Sequence, residues 1–154
     1  MDKHDNIYTE RNSGINIAEI RFEEFCRKHH LEFHRFGFDE KKDPISKKPF
    51  QVIPAQLRSL PDYLVTKSYW DEVWFCEVKG TNKVKVVDLK IYYEFVKQYC
   101  RNSHTHFYLY LAFEDEVYRF SLTDLIDIYK KRKNQLRNYE DNDKAYFLIN
   151  TPRS

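Results

Sequence analysis

The hydrophobic positions of this chain fall into short blocks whose spacing alternates between that of a helix and that of a strand. Apolar side chains recur three and four positions apart over residues 15–29, as at Ile17, Phe22, Phe25 and Cys26, which predicts an amphipathic helix. Residues 31–38 then alternate between apolar and polar side chains, a pattern typical of an edge strand or a hairpin arm.

The remaining pattern predicts strands interleaved with helices. Residues 62–66 (DYLVT) predict a short strand, and residues 73–79 (VWFCEVK) a second strand, apolar on both faces until its end and therefore central in the sheet. We expect a helix over 86–101, a buried strand over 106–113, a strand over 117–120 and a last strand over 145–150. Ser121 and Asp124 come close to a capping box, so another helix begins there.

The order of these elements indicates an α/β sheet in two or three layers, since helices are interleaved with buried strands. The 154 residues predict one domain, in which residues 1–12 are polar and flexible. Three prolines within residues 39–59 forbid a helix or a central strand there. We interpret residues 39–59 as a long basic loop, which carries Lys41, Lys42, Lys47 and Lys48.

Composition and charge exclude several classes of protein. An aromatic content of 17% excludes a disordered chain, and no uncharged run is long enough for a membrane span. The first ten residues lack the apolar stretch of a secretory signal, and the three cysteines have no disulfide or metal spacing, so we expect a reducing, cytoplasmic setting. Three glycines cannot build a phosphate-binding loop, so no nucleotide cofactor is expected.

Two acids and a lysine meet where the strands of the predicted hairpin end. Asp62 begins the first strand, while Glu77 and Lys79 end the second on one face, because strand side chains alternate. Antiparallel pairing brings Asp62 beside them, and Val78 can offer its carbonyl oxygen. Such oxygens suit Mg²⁺ or Mn²⁺, and a lysine beside the cation can position the attacking water or accept its proton. The pattern predicts metal-dependent phosphodiester hydrolysis; the alternative is an exposed Glu–Lys pair and a turn-starting Pro-Asp.

The same residues resemble a known nuclease signature. Pro61-Asp62 followed by Glu77-Val78-Lys79 is similar to the signature of the PD-(D/E)XK nuclease superfamily, and the resemblance covers about residues 14–113. It implies a restriction-endonuclease-like core, an α/β fold whose mixed sheet is flanked by helices in the order α-β-β-β-α-β, here with a C-terminal β-α-β extension. Residues 14–19 (GINIAE) resemble the first-helix opening of Holliday-junction-resolvase-like members.

The resemblance also implies roles for individual residues. Asp62 and Glu77 are expected to bind the metal together with the Val78 carbonyl, and Lys79 to support the attacking water. Glu19 is expected to bind a metal directly or through water, with Glu23 one turn further on as its substitute. The alternative for Glu19 is an ordinary solvated helix residue, because acids are common in first helical turns.

Contacts to nucleic acid must come from local patches, because the net charge is only +2. Many superfamily members carry a Gln and a Tyr on the helix after the lysine, whereas this chain has Asp88, Tyr92 and Tyr93 there. Trp70 and Trp74 could stack on bases or belong to the core. The candidate phosphate contacts, which could also be ordinary exposed lysines, are Lys41, Lys42, Lys47, Lys48, Lys85 and Lys90.

The sequence therefore predicts a nuclease that depends on Mg²⁺ or Mn²⁺, with DNA favoured as substrate and endonucleolytic cleavage favoured over exonucleolytic cleavage. Paired cuts would favour a homodimer. Three alternatives remain open: a non-catalytic module of this fold that binds nucleic acid or a protein, an RNA-directed nuclease, and an α/β domain with an accidental motif.

Overall fold

The computed structural model describes residues 17–36, 60–67, 70–113, 116–138 and 144–150. Three helices lie in these ranges: α1 (Ile17–Lys28), α2 (Val86–Tyr99) and α3 (Leu122–Arg132), the last followed by a 3₁₀ turn (Lys133–Gln135). The strands are β1 (Glu32–Arg35), β2 (Tyr63–Thr66), β3 (Val73–Lys79), β4 (Lys83–Lys85), β5 (Thr105–Phe113), β6 (Glu116–Ser121), β7 (Arg137–Asn138) and β8 (Ala145–Leu148).

Five strands form the main sheet in the order β1-β2-β3-β5-β6. Strands β1, β2 and β3 are an antiparallel meander, in which Tyr63 lies opposite Cys76. Strand β5 returns parallel to β3, with Val78 opposite Tyr110, and β6 closes the sheet antiparallel to β5. A parallel return requires a crossover, and α2, preceded by β4, lies in the segment that connects β3 to β5.

Both faces of the main sheet are covered, and each has its own core. Helix α1 packs on one face, where the buried residues are Ala18, Phe22, Cys26, Tyr63, Val65, Cys76, Val78, Tyr110 and Ala112. Helices α2 and α3 pack on the other face, where the buried residues are Val84, Leu89, Tyr92, Phe95, Phe107, Leu109, Leu111, Leu125, Phe147 and Ile149. The alternation along β3 therefore turns Cys76 and Val78 toward α1, and Phe75, Glu77 and Lys79 toward α2.

The fold-class prediction is confirmed. A mixed sheet is flanked by helices, and the order from α1 through three strands and α2 to β5 is the α-β-β-β-α-β order expected for a restriction-endonuclease-like core. The C-terminal β-α-β extension is present as β6, α3 and β8. Ser121 caps α3 as predicted: its hydroxyl accepts the Asp124 N–H at 3.1 Å, while the Asp124 carboxylate accepts the Ser121 N–H at 2.9 Å.

Some boundaries and partners differ from the prediction. Within the described ranges, α1 ends at Lys28 and β1 ends at Arg35, earlier than expected, and α2 ends at Tyr99 because Cys100 leaves the helical region. Strand β8 leaves the main sheet and pairs with β4 and β7 in a separate three-stranded sheet. Residues 1–12 and 39–59, predicted as a flexible end and a basic loop, lie outside the described ranges.

The three cysteines are free thiols, with Cys26 and Cys76 buried and Cys100 half-buried, as expected from their spacing. No helix in the described part of the chain combines the length and apolarity that crossing a membrane requires.

Candidate active site at the end of strand β3

Asp62 is fixed to the strand that carries the other candidate residues. Its carboxylate Oδ2 accepts the backbone N–H of Val78 at 2.9 Å, and its own carbonyl accepts the N–H of Phe36 at 2.9 Å. Pro61, which precedes it, is fully buried and lacks an N–H. Asp62 thus continues the β1–β2 ladder with its backbone and reaches β3 with its side chain.

Glu77 lies opposite Asp62. Tyr63 pairs with Cys76, so one further step of the antiparallel register places Asp62 across from Glu77. Burial raises the pKa of the Glu77 carboxyl well above its usual range, and the charge of Asp62 and a hydrogen bond with it raise the pKa further. Lys79 acts in the opposite direction without cancelling these effects. The Glu77 carboxyl therefore binds a proton more tightly than an isolated glutamate does.

Lys79 is oriented by helix α2. Its Nζ lies 3.4 Å from Oδ2 of Asp88, and the side chains of Lys79 and Asp88 are 24% and 27% exposed. Asp88 lies in the first turn of α2, where the helix dipole favours a negative charge. The charges of Asp62, Lys79 and Asp88 all act on Glu77, so the acids of this cluster outnumber its one lysine.

Tyr92 is a buried neighbour of the cluster formed by Asp62, Glu77, Lys79 and Asp88. It follows Asp88 by four positions, so both lie on one face of α2, and only 4% of Tyr92 is exposed. Burial, together with the charges of Glu77, Asp88 and Asp62, raises the pKa of its hydroxyl well above the usual range. Tyr92 consequently remains a neutral donor beside the carboxylates. The four-residue spacing of Asp88 and Tyr92 is visible in the sequence, but the predicted site residues do not include them.

Glu19 occupies the opposite layer from Glu77. It is buried on α1, and its Oε1 lies 2.7 Å from Nη1 of Arg35. Burial lowers the pKa of the Arg35 guanidinium, but the hydrogen bond and charge of Glu19, assisted by the charge of Asp62, raise it to a net value above normal. Arg35 therefore lies within electrostatic reach of both Glu19 and Asp62, and sequence reasoning missed it. Glu23, the substitute, accepts the Tyr63 hydroxyl at 2.7 Å.

Small residues explain how α1 approaches the end of β3. A Cβ atom at Gly80 would lie 3.2 Å from the Cβ of Ala18, which is tighter than an ordinary contact. The start of α1 therefore lies directly against the residue that follows Lys79. The structure brings Glu19 to this end of β3, but on the α1 face.

The lysines expected to contact phosphate lie in different places. Lys85 ends β4 and precedes the first turn of α2, half-buried. Lys90 is exposed on α2, and two residues correspond to a rotation of about 200° from Asp88, so Lys90 lies on the outer side of the helix. Four others lie outside the described ranges: Lys41, Lys42, Lys47 and Lys48.

The donor set fits a small hard cation with an incomplete protein shell. In the ranges that the structure describes, no group of three or more His, Cys, Asp or Glu side chains is arranged to hold a metal by itself. Mg²⁺, however, is usually held by one or two carboxylates, with water and substrate phosphate completing the shell. The N–H and C=O of one strand residue point to the same neighbouring strand, so the Val78 carbonyl points toward Asp62, as its N–H does.

Comparisons with known proteins give a structural likeness. No protein-family model matches the sequence, and no curated protein matches it either. Among solved structures, the chain is similar to Hjc from Archaeoglobus fulgidus, a Holliday junction resolvase from an archaeal hyperthermophile. The likeness covers 85% of each chain, at 10% sequence identity and a TM-score of 0.44.

Proposed function

We propose that this protein is a divalent-metal-dependent nuclease that hydrolyses phosphodiester bonds, with DNA as the favoured substrate and internal cleavage as the favoured mode. The observation that carries the proposal is the pairing of Asp62 with Glu77 at the end of two adjacent strands, next to Lys79. Two acids that face each other at a strand end, with the pKa of one held high, destabilise the protein unless a cation joins them. Such a pair is therefore expected where function requires it.

Asp62, Glu77 and the Val78 carbonyl would hold Mg²⁺ or Mn²⁺. The cation would supply positive charge for the substrate phosphate and would acidify a water molecule. Because the pKa of Glu77 is raised, the cation would compete with a proton for its carboxylate. The hydrogen bond from the Val78 N–H keeps Asp62 in place throughout, so the acids need little rearrangement.

Lys79 is the residue proposed to act on the attacking water. Asp88 holds its ammonium group near the carboxylates, and its partial exposure leaves it accessible to solvent. From that position the Lys79 ammonium group can donate a hydrogen bond to the attacking water and hold it in line with phosphorus. Tyr92 is buried beside these acids and remains protonated, so it adds no negative charge to the site.

Glu19 remains a proposed participant in the site. Its Oε1 is engaged by Arg35, whose charge also reaches Asp62, so a contact between Glu19 and the cation would use Oε2 or would open that ion pair. Lys85, at the start of α2, and Lys41, Lys42, Lys47, Lys48 and Lys90 remain proposed phosphate contacts. A homodimer would place two such sites on one duplex.

The test is a cleavage panel with the full-length protein. Labelled duplex, single-stranded and four-way-junction DNA and single-stranded RNA are incubated with Mg²⁺, Mn²⁺ or EDTA. Glu77→Gln is run beside wild type, and Glu94→Gln serves as the matched control because Glu94 is exposed on α2. The proposal predicts cleavage that needs both the cation and Glu77 and that survives in the control. Cleavage in EDTA, or cleavage at the wild-type rate by Glu77→Gln, contradicts it.

A further inference from the structure

A cavity lies on the α1 face of the main sheet, near the start of β3. Its volume is about 280 Å³. Both tryptophans of the chain line this cavity. Lys67, Tyr110 and Arg119 also line it and determine its charge and hydrogen-bonding groups. Trp74 precedes Glu77 by three residues on β3 and faces the other side of the sheet, so this cavity is separate from the carboxylate cluster.

The rings of the cavity are arranged as a stacking platform. The ring centroids of Trp70 and Trp74 are 4.7 Å apart at an interplanar angle of 43°, and Tyr108 meets Trp74 at 4.9 Å and 67°. The indole Nε1 of Trp74 donates to Oε1 of Glu72 at 3.0 Å, which fixes the orientation of its ring. Trp70 and Trp74 are only half-buried, so part of their ring surface is available to a ligand.

A positive charge borders these rings. The Arg119 guanidinium lies 5.1 Å from the Trp74 ring centroid and 4.6 Å from that of Tyr108, and its charge partly offsets the rise that burial causes in the pKa of Tyr110. Among the residues that the structure describes, neither Arg119 nor Lys67 forms an ion pair with a carboxylate. Glu72 is instead engaged by Trp74 and by His106 at 3.3 Å. Aromatic faces next to cations that form no ion pair within the described ranges match a flat ring that carries an anion.

We propose that this cavity binds a nucleotide unit, with an unpaired base stacked on Trp70 and Trp74 and its phosphate held by Arg119 and Lys67. Base stacking on aromatic side chains beside a cationic groove is the usual basis of single-strand binding. The unit can come from a single-stranded polynucleotide or from a free nucleotide, which share this chemistry. The inference rests on the proposed function in one respect, that the ligand would be part of a nucleic-acid substrate. Binding in this cavity does not itself require cleavage.

The experiment uses tryptophan fluorescence, since Trp70 and Trp74 are the only two tryptophans and both lie in the cavity. Full-length Glu77→Gln in EDTA, which cannot cleave by the proposed mechanism, is titrated with oligothymidylate, oligoadenylate, deoxynucleoside monophosphates and inorganic polyphosphate. We expect saturable quenching by the oligonucleotides, weaker quenching by the monophosphates and none by polyphosphate. Arg119→Ala should weaken binding of the oligonucleotides roughly tenfold or more, and Trp70→Leu should do so as well.

Matched variants separate base binding from general charge or loss of fold. Arg101→Ala removes an exposed arginine elsewhere and should leave binding unchanged, and Trp70→Phe should restore most of the affinity lost in Trp70→Leu. The proposal is overturned by a lack of quenching in folded Glu77→Gln, by equal quenching with polyphosphate, or by equal losses in Arg101→Ala and Arg119→Ala. It is also overturned if an indole-containing peptide quenches and the nucleotides do not. Because the titration contains no metal, its outcome is independent of whether the wild type cleaves.

Discussion

The Asp62 carboxylate accepts the backbone N–H of Val78 at 2.9 Å, so a residue that precedes β2 completes the hydrogen bonding of β3. The same contact fixes the acid that faces Glu77. Asp62 therefore has two separable roles, one in holding the strand ends together and one in supplying negative charge.

Asp62→Asn should separate these roles. The asparagine oxygen can still accept the Val78 N–H, so thermal unfolding should change little, while metal-dependent cleavage should be lost with the negative charge. Asp62→Ala removes the acceptor and should cost about 1–3 kcal/mol of stability, because a partly buried N–H is left unsatisfied. Equal destabilisation by the two variants in denaturant unfolding would contradict the structural role assigned to this hydrogen bond.

Glu77→Gln should stabilise the metal-free protein at neutral pH. Burial and Asp62 raise the pKa of Glu77 in the folded state, against about 4.3 in the unfolded chain, and Lys79, Asp88 and Tyr92 face the same group. The folded state therefore binds its proton more tightly. The protonated Glu77 therefore stabilises the folded wild type. This contribution is complete below about pH 4.3 and is lost as the pH rises through the folded-state pKa.

Urea unfolding of wild type and Glu77→Gln in EDTA at pH 4 and pH 8 measures this effect. The stability of Glu77→Gln relative to wild type should increase with pH, and Glu94→Gln should show no such trend. A stability difference that is the same at both pH values would mean that Glu77 titrates normally.

Asp88→Asn should impair catalysis more than metal binding. The substitution removes the partner that holds Lys79 at 3.4 Å, so the lysine becomes free to move, while Asp62 and Glu77 keep their positions. We expect a loss of about tenfold to a hundredfold in the cleavage rate, smaller than the loss of about 10²–10⁴ expected for Lys79→Ala. Single-turnover kinetics at saturating Mn²⁺ measures both, with Asp127→Asn on the exposed side of α3 as control. A rate for Asp88→Asn equal to that of the control would exclude a role for Asp88.

Arg35→Met should destabilise the protein strongly. Glu19 is only 5% exposed, and removing the guanidinium takes a 2.7 Å ion pair away from this buried carboxylate, at a cost of about 3 kcal/mol. The double variant Glu19→Met with Arg35→Met should recover much of this loss, which denaturant unfolding at neutral pH would detect. If the single and double variants unfold alike, the ion pair contributes little to the α1 packing.

The sequence patterns that were most informative are local. Residues 73–79 predict a central strand because they are apolar on both faces of the strand until its end. The Ser121–Asp124 cap depends on only four residues. Asp62 and Glu77 could be paired because a hairpin has one antiparallel register. Strand β4 could not be found, since three residues (KVK) directly before a helix carry no periodicity.

Long-range contacts could not be predicted from these patterns. The ion pair between Glu19 and Arg35 joins α1 to the edge strand, and it depends on how closely Ala18 approaches Gly80. The inward orientation of Asp88 depends in the same way on the placement of α2 across the sheet. The Glu19–Arg35 ion pair and the orientation of Asp88 follow from tertiary packing, which cannot be predicted from the spacing of residues within one element.

The central claim is that Asp62 and Glu77 together hold the catalytic cation, and a calorimetric titration with Mn²⁺ tests it most directly. Wild type and Glu94→Gln should each bind Mn²⁺ saturably at a site that both Asp62→Asn and Glu77→Gln abolish, while all four proteins remain folded. Equal Mn²⁺ affinity in wild type and Glu77→Gln, or a lack of saturable binding in wild type, would contradict the claim.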